Sequence, residues 1–187
     1  LLERVQQWPF ALVVGVAGGR AYTAHTPVLA SEDGSLQFHL AKANPTARAI
    51  TESGHALIVF SGPHDYISPD WYGMEQQVPT WNYLSVEAAG PVTLSQPDDA
   101  KALLDTLSTH FETGLAPKPV WRMSDVEPAR IDRMVSSIQA FCLQPQRLEG
   151  ITKIGQNKPA EARIRAGKAL KAAGGDTTLA AMMERDQ

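Results

Sequence analysis

Lys42-Ala43-Asn44-Pro45 sets a cation just ahead of a helix start. Asn44 is a good N-cap and Pro45 suits the first helical position, so the free N–H groups of the first turn open beside the Lys42 ammonium. That combination favours an anion, most simply a phosphate. The plain alternative is a solvated lysine next to an ordinary cap. Upstream, Tyr22-Thr23-Ala24-His25-Thr26-Pro27 puts Thr23, His25 and Pro27 on one strand face and Tyr22, Ala24 and Thr26 on the other. His39 lies in a second alternating run that ends at Lys42. Trp81-Asn82-Tyr83 offers large amphipathic rings for stacking on a planar ligand, or for packing in a core or a dimer interface. Lys153-Ile154-Gly155-Gln156-Asn157-Lys158 is a polar run before Pro159, readable also as a loop capped by Asn157.

Several chemistries are absent at the level of motif. There is no GxGxxG after a strand, no GxxxxGK[ST], no CxxC and no GxSxG elbow. His25, His39, His55, His64 and His110 are not spaced as metal ligands, so no metal site is expected. No residue stands out as an acid or base catalyst. His25, His39 and His64 qualify by type alone.

The elements that must position these residues are mostly strands. Phe10–Val16 and Arg20–Ala30 flank Gly18-Gly19, a hairpin signal. In 36–41, Leu36, Phe38 and Leu40 alternate with Gln37 and His39. His55–Ser61 is apolar and reads as a central strand. Thr80–Leu94 is a long strand with a bend expected at Gly90-Pro91. Ser137–Leu148 reads as the last strand. Helices are predicted over 97–113, with an apolar stripe of Leu103, Leu104, Leu107 and Phe111, over 127–137, and over the basic stretch 158–171. Between strands lies a long aromatic connection, Gly62-Pro63-His64-Asp65-Tyr66-Ile67-Ser68-Pro69-Asp70-Trp71-Tyr72. A connection so long and so specific builds a site or an interface more often than it merely closes a loop.

This pattern predicts a mainly β (α+β) fold, an antiparallel six-stranded split β-barrel with peripheral helices. The expected division is a barrel domain over 1–150, with the helices 97–113 and 127–137 inserted, and a C-terminal basic helical extension over 151–187. With 187 residues and one cysteine, Cys142, the chain suits one domain with an appendage, has no internal disulfide, and has the reducing cytoplasm as its default compartment. No apolar run is long enough to span a membrane. The chain opens without methionine, so natural sequence is expected to precede it. The net charge of −3 argues against a general nucleic-acid binder. Between Arg147 and Lys171, however, seven cations face two acids. That stretch is either a solvated helix face or an anion site.

The blocks Pro9-Phe10-Ala11, His25-Thr26-Pro27-Val28-Leu29, His39-Leu40-Ala41-Lys42-Ala43-Asn44-Pro45, the aromatic connection, Val78-Pro79-Thr80-Trp81-Asn82-Tyr83, Arg147-Leu148-Glu149-Gly150 and Lys153–Pro159 run along nearly the whole chain. Together they resemble the PaiB family of FMN-binding negative transcriptional regulators. The resemblance implies a split barrel of the pyridoxamine-phosphate-oxidase-like class, a homodimer, and FMN held at the subunit interface. It implies a phosphate clamp at Lys42 and Asn44, with His25, Thr26 and Pro27 along the ring or ribityl chain and His39 also among the cofactor-binding residues. Trp81 and Asn82 would come from the barrel edge or the partner, and Lys153, Gln156 and Asn157 would close over the cofactor.

On this resemblance the first functional expectation is a flavin-binding transcriptional regulator. No helix-turn-helix is present, so DNA contact is expected to be weak, salt-sensitive and confined to the basic C-terminal helix. An FMN-dependent oxidoreductase is the alternative, in which the flavin carries the reaction and the protein positions it. A haem-binding split barrel with a histidine ligand is the third.

Overall fold

The computed structural model describes residues 1–185. Phe10–Ala17 (β1) and Arg20–Ala30 (β2) form a hairpin in which Ala17 pairs with Arg20. Gly18 and Gly19 between them have φ of 56° and 73°. A two-residue turn whose twist matches its strands needs that left-handed backbone. Leu36–Ala41 (β3) pairs with β2 on one edge and with Ile138–Leu143 (β6) on the other. His55–Ile67 (β4) lies against β1, and Thr80–Leu94 (β5) against β6. Because β4 also pairs with β5, these six antiparallel strands close a ring, and Arg147–Lys153 (β7) is added alongside β5. This is the predicted split barrel, with a seventh strand among the described residues.

Two boundaries differ from the sequence reading. The last strand is broken: β6 ends at Leu143 and β7 begins at Arg147. Pro145 has no N–H for a ladder, and the chain there folds across β5, with Gln144 N donating to Pro91 O and Gln146 N to Ala89 O. The crossing is so close that a Cβ on Gly90 would lie 2.1 Å from the Gln144 carbonyl oxygen. The other difference is β4, which runs on through the first half of the aromatic connection to Ile67 before a 3-10 turn over Pro69–Tyr72. Gly62 and Pro63 read locally as breakers, and pairing with β5 overrides them, whereas Pro69 does open the 3-10 turn.

The helices are Leu2–Gln7 (α1), Pro45–Ser53 (α2), Pro97–Thr113 (α3), Pro128–Ser136 (α4), Ala160–Ala172 (α5) and Thr177–Glu184 (α6). The chain divides into two compact units. The first, residues 1–60 and 87–149, has its core on the alternating strand faces. Phe38 and Phe141, paired in register, are fully buried with ring centroids 5.1 Å apart. Outside this, Leu103 and Leu107 of α3 pack with Val135 and Ala140, while Phe111, predicted on the same stripe, is exposed. The second unit, residues 61–86 with the chain from 150 onward, joins the ends of β4 and β5 to α5 and α6. There α5 and α6 approach closely at Gly167, where a Cβ would meet the Ala180 carbonyl oxygen at 2.9 Å.

Candidate functional site

In the first unit, β2 and β3 set Thr26 and His39 side by side. Thr26 is buried and its hydroxyl donates to the His39 carbonyl at 2.9 Å, tying the two strands. His25, on the opposite face of β2, is exposed and stacks on the Phe10 ring with centroids 5.6 Å apart. Pro27 is half-buried. His39 Nδ1 is buried without a hydrogen-bond partner. Burial holds the imidazole below its ordinary pKa of 6.5, so it is neutral near pH 7.

Asn44 caps α2 as its position predicts, with its side-chain oxygen accepting from Thr46 N at 2.8 Å. Lys42 is exposed and makes no ion pair among the described residues. It lines a cavity of about 580 Å³ with Ser95, Gln96, Ser136 and Gln139, and a groove of about 360 Å³ with Arg48, Thr51 and Gln139. A further cavity of about 600 Å³, lined by Ser31, Glu32, Gln37, Asp99 and Cys142 among others, involves none of the predicted residues.

The second unit brings Asn82, Lys153, Gln156 and Asn157 together around a cavity of about 210 Å³, as the sequence grouped them. It adds Tyr72, Thr80 and Lys158, which the sequence reading did not assign to a site. Their signal was there: Tyr72 closes the aromatic connection and Lys158 closes the polar run. Lys153 Nζ donates to Thr80 Oγ1 at 2.7 Å, and Lys158 Nζ donates to Gln77 Oε1 while lying 5.5 Å from the Tyr72 ring centre. Gln156 folds back on its own loop, accepting from Ile154 N at 2.9 Å and donating to Thr152 O.

Trp81 does not join this group. Neighbours on a strand face opposite ways, so Asn82 is buried while Trp81 is 54% exposed. Trp81 lines a separate groove of about 380 Å³ with His64 and Tyr83, its ring 6.3 Å from those of His64 and Tyr66.

The aromatic connection has a structural task as well. Asp65 Oδ2 accepts from Asp176 N at 2.8 Å, just ahead of α6. The Tyr72 carbonyl accepts from Arg165 on α5. Most of the basic segment is likewise engaged. Arg147 pairs with Glu87 and Glu149, and buried Arg163 donates to the carbonyls of Met183 and Arg185. Lys168 and Lys171 alone of that segment make no bond among the described residues. No cluster of His, Cys, Asp or Glu able to hold a metal is found among the described residues, and no helix is long and apolar enough to cross a membrane.

Residues 1–147 match the family described as “Putative FMN-binding domain”. The Bacillus subtilis protein named Protease synthase and sporulation protein PAI 2 is 27% identical over 157 residues, covering 82% of this chain and 74% of its own. An Aspergillus fumigatus protein is 31% identical over 159 residues, 66% of this chain and 60% of its own length. Among experimental structures, the FAD and heme binding protein from Mycobacterium smegmatis superposes with a TM-score of 0.60 at 18% identity, covering 94% of this chain and 77% of its own. At that identity the likeness is one of fold.

Proposed function

The chain belongs to this FMN-binding domain family, and from that premise we propose that it binds FMN, with Lys42 and the N-terminus of α2 as the phosphate clamp. The family match over residues 1–147 carries the reading. The donor set supports it. Lys42 is an exposed ammonium with no carboxylate partner among the described residues, two residues ahead of the α2 N-cap, and a cation beside the positive end of a helix suits a phosphate dianion. Groove walls made by His64, Trp81 and Tyr83 suit a flat ring system.

FMN, when bound, would supply any redox chemistry, and this chain's residues would hold and orient it. In the first unit His39, neutral and with a free buried nitrogen, presents an uncharged polar group, and His25 and Pro27 lie on the face of β2 opposite Thr26. In the second unit Asn82, Lys153, Gln156 and Asn157 line one polar cavity. A homodimer belongs to the same reading, since a second copy would cover exposed rings such as Trp81 and Tyr66. A cytoplasmic, regulatory role would act through flavin occupancy rather than through duplex binding, because Lys168 and Lys171 leave little free charge for DNA.

The test is a visible spectrum of the purified chain after FMN addition and removal of free flavin. A retained flavin spectrum that is lost in Lys42→Ala supports the reading, and no retained flavin overturns it. Bleaching of bound flavin by a reduced nicotinamide would favour the oxidoreductase role over the regulatory one.

A further inference from the structure

We propose that the cavity bounded by Asn82, Lys153 and Lys158 is a site for a small phosphate-type oxyanion that also carries an O–H donor. The proposal stands without the FMN reading. Three observations in the second unit meet there.

The first is size. At about 210 Å³ the cavity takes a phosphate with ordered water, while small-molecule pockets for cofactor-sized ligands run upward from about 300 Å³.

The second is uncompensated charge. Lys153 and Lys158 both line the cavity, and neither makes an ion pair among the described residues. Their ammonium groups rest on neutral oxygens of Thr80 and Gln77, which orient the charges without cancelling them.

The third is Asn82 itself. It is fully buried and lines the cavity, and its Oδ1 has no hydrogen-bond partner. Its Nδ2 is directed at the Met183 sulfur, 3.5 Å away. A buried acceptor left unmet costs stability, and a ligand O–H would meet it. Tyr72 borders the same space; burial raises the pKa of its hydroxyl, which hydrogen-bonds with the Asn82 side chain.

The ligand must therefore accept from two ammonium groups and donate to one amide oxygen. Hydrogen phosphate does both at neutral pH. A phosphate monoester, such as the end of a mononucleotide, does so when singly protonated, below about pH 6. Sulfate has the charge but no proton to give.

The experiment is calorimetric titration of the full chain with sodium phosphate and, separately, with sodium sulfate at matched ionic strength. It is repeated on the double variant Lys153→Gln/Lys158→Gln and on Lys171→Gln. The lysines are chosen because they are more exposed than Asn82, and a thermal melt verifies that each variant folds. Phosphate should bind. Affinity should fall at least about tenfold in the double variant, as expected for lost charged hydrogen bonds, and stay unchanged in Lys171→Gln, an exposed lysine outside the cavity. Sulfate should bind about tenfold more weakly than phosphate. Competition then identifies the source. Displacement of phosphate by FMN but not by riboflavin assigns the site to the flavin's own phosphate, whereas simultaneous binding assigns it to a separate anion. Both results uphold the site. Absence of phosphate binding, indifference to the double substitution, or sulfate binding as tight as phosphate overturns it. Flavin retention in any of these cases leaves the FMN reading intact.

Discussion

The Arg165 guanidinium donates from Nε and Nη2 to the single carbonyl oxygen of Tyr72, at 3.1 and 2.7 Å. The fork closes on the turn just after Tyr72, where Gly73 has φ of 60° and a Cβ would come within 3.0 Å of Arg165 Nε. One basic residue of α5 thus holds the end of the aromatic connection in the second unit, and with it the buried ring that borders the anion cavity.

Replacing Arg165 by Ala should lower stability by about 1–2 kcal/mol, the low end for hydrogen bonds from a charged group because the side chain is exposed. Arg165→Lys should recover only part of this, since a point-charge ammonium cannot reproduce the two-pronged contact. Urea unfolding of the three proteins, compared at equal m-values, measures it. Equal midpoints for all three would show that the fork contributes nothing.

Gly90→Ala should be far more damaging than its chemistry suggests. The new Cβ would fall 2.1 Å from the Gln144 carbonyl oxygen, a backbone atom that cannot swing away. A cost at or above about 3 kcal/mol is expected, at the upper end for overpacking. Thermal melts should show it. Gly34→Ala, at φ of 83° with nothing near its Cβ, provides the contrast of a strained but unobstructed site.

Stability should fall as pH drops through the histidine range. Burial lowers the folded-state pKa of His39 beneath its ordinary 6.5, so the unfolded chain takes up a proton first. The neutral form's stability is complete above about pH 6.5 and is progressively lost as pH falls from there toward the lowered folded value. His39→Gln should flatten this part of the profile. Chemical denaturation from pH 7.5 to 5 tests the slope, and an unchanged slope in the variant would assign the effect to other groups.

DNA affinity should be small and steeply dependent on salt only to the extent of two cations. With Lys153 and Lys158 lining their cavity and Lys168 and Lys171 the members of the basic segment that make no bond among the described residues, the slope of log affinity against log salt should be no steeper than about −2, and binding should vanish by about 0.2 M salt. Filter binding across salt concentrations would reveal a larger electrostatic footprint if one exists.

Much of the fold was legible locally. Gly18-Gly19 marked its hairpin, Asn44-Pro45 its helix start, and the alternation of Leu36, Phe38 and Leu40 its buried face, because each depends on backbone preference or a two-residue period within a short window. The broken last strand and the extension of β4 to Ile67 were not, because both depend on pairing with distant segments.

The candidate site divides in the same way. Lys153, Gln156 and Asn157 are neighbours in sequence and line one cavity with Asn82. Trp81 and Asn82 are adjacent too, yet the strand pleat sends them to different surfaces. The sequence by itself determined the antiparallel meander, the capped helix beside Lys42 and the polar composition of the sites, since these follow from patterns a few residues long. Only the tertiary structure decided that Asp65 and Tyr72 anchor α6 and α5, that most of the basic segment is already engaged, and that Asn82 faces two lysines with its oxygen unmet. Those facts join residues far apart in the chain, and only folding sets the distances between them.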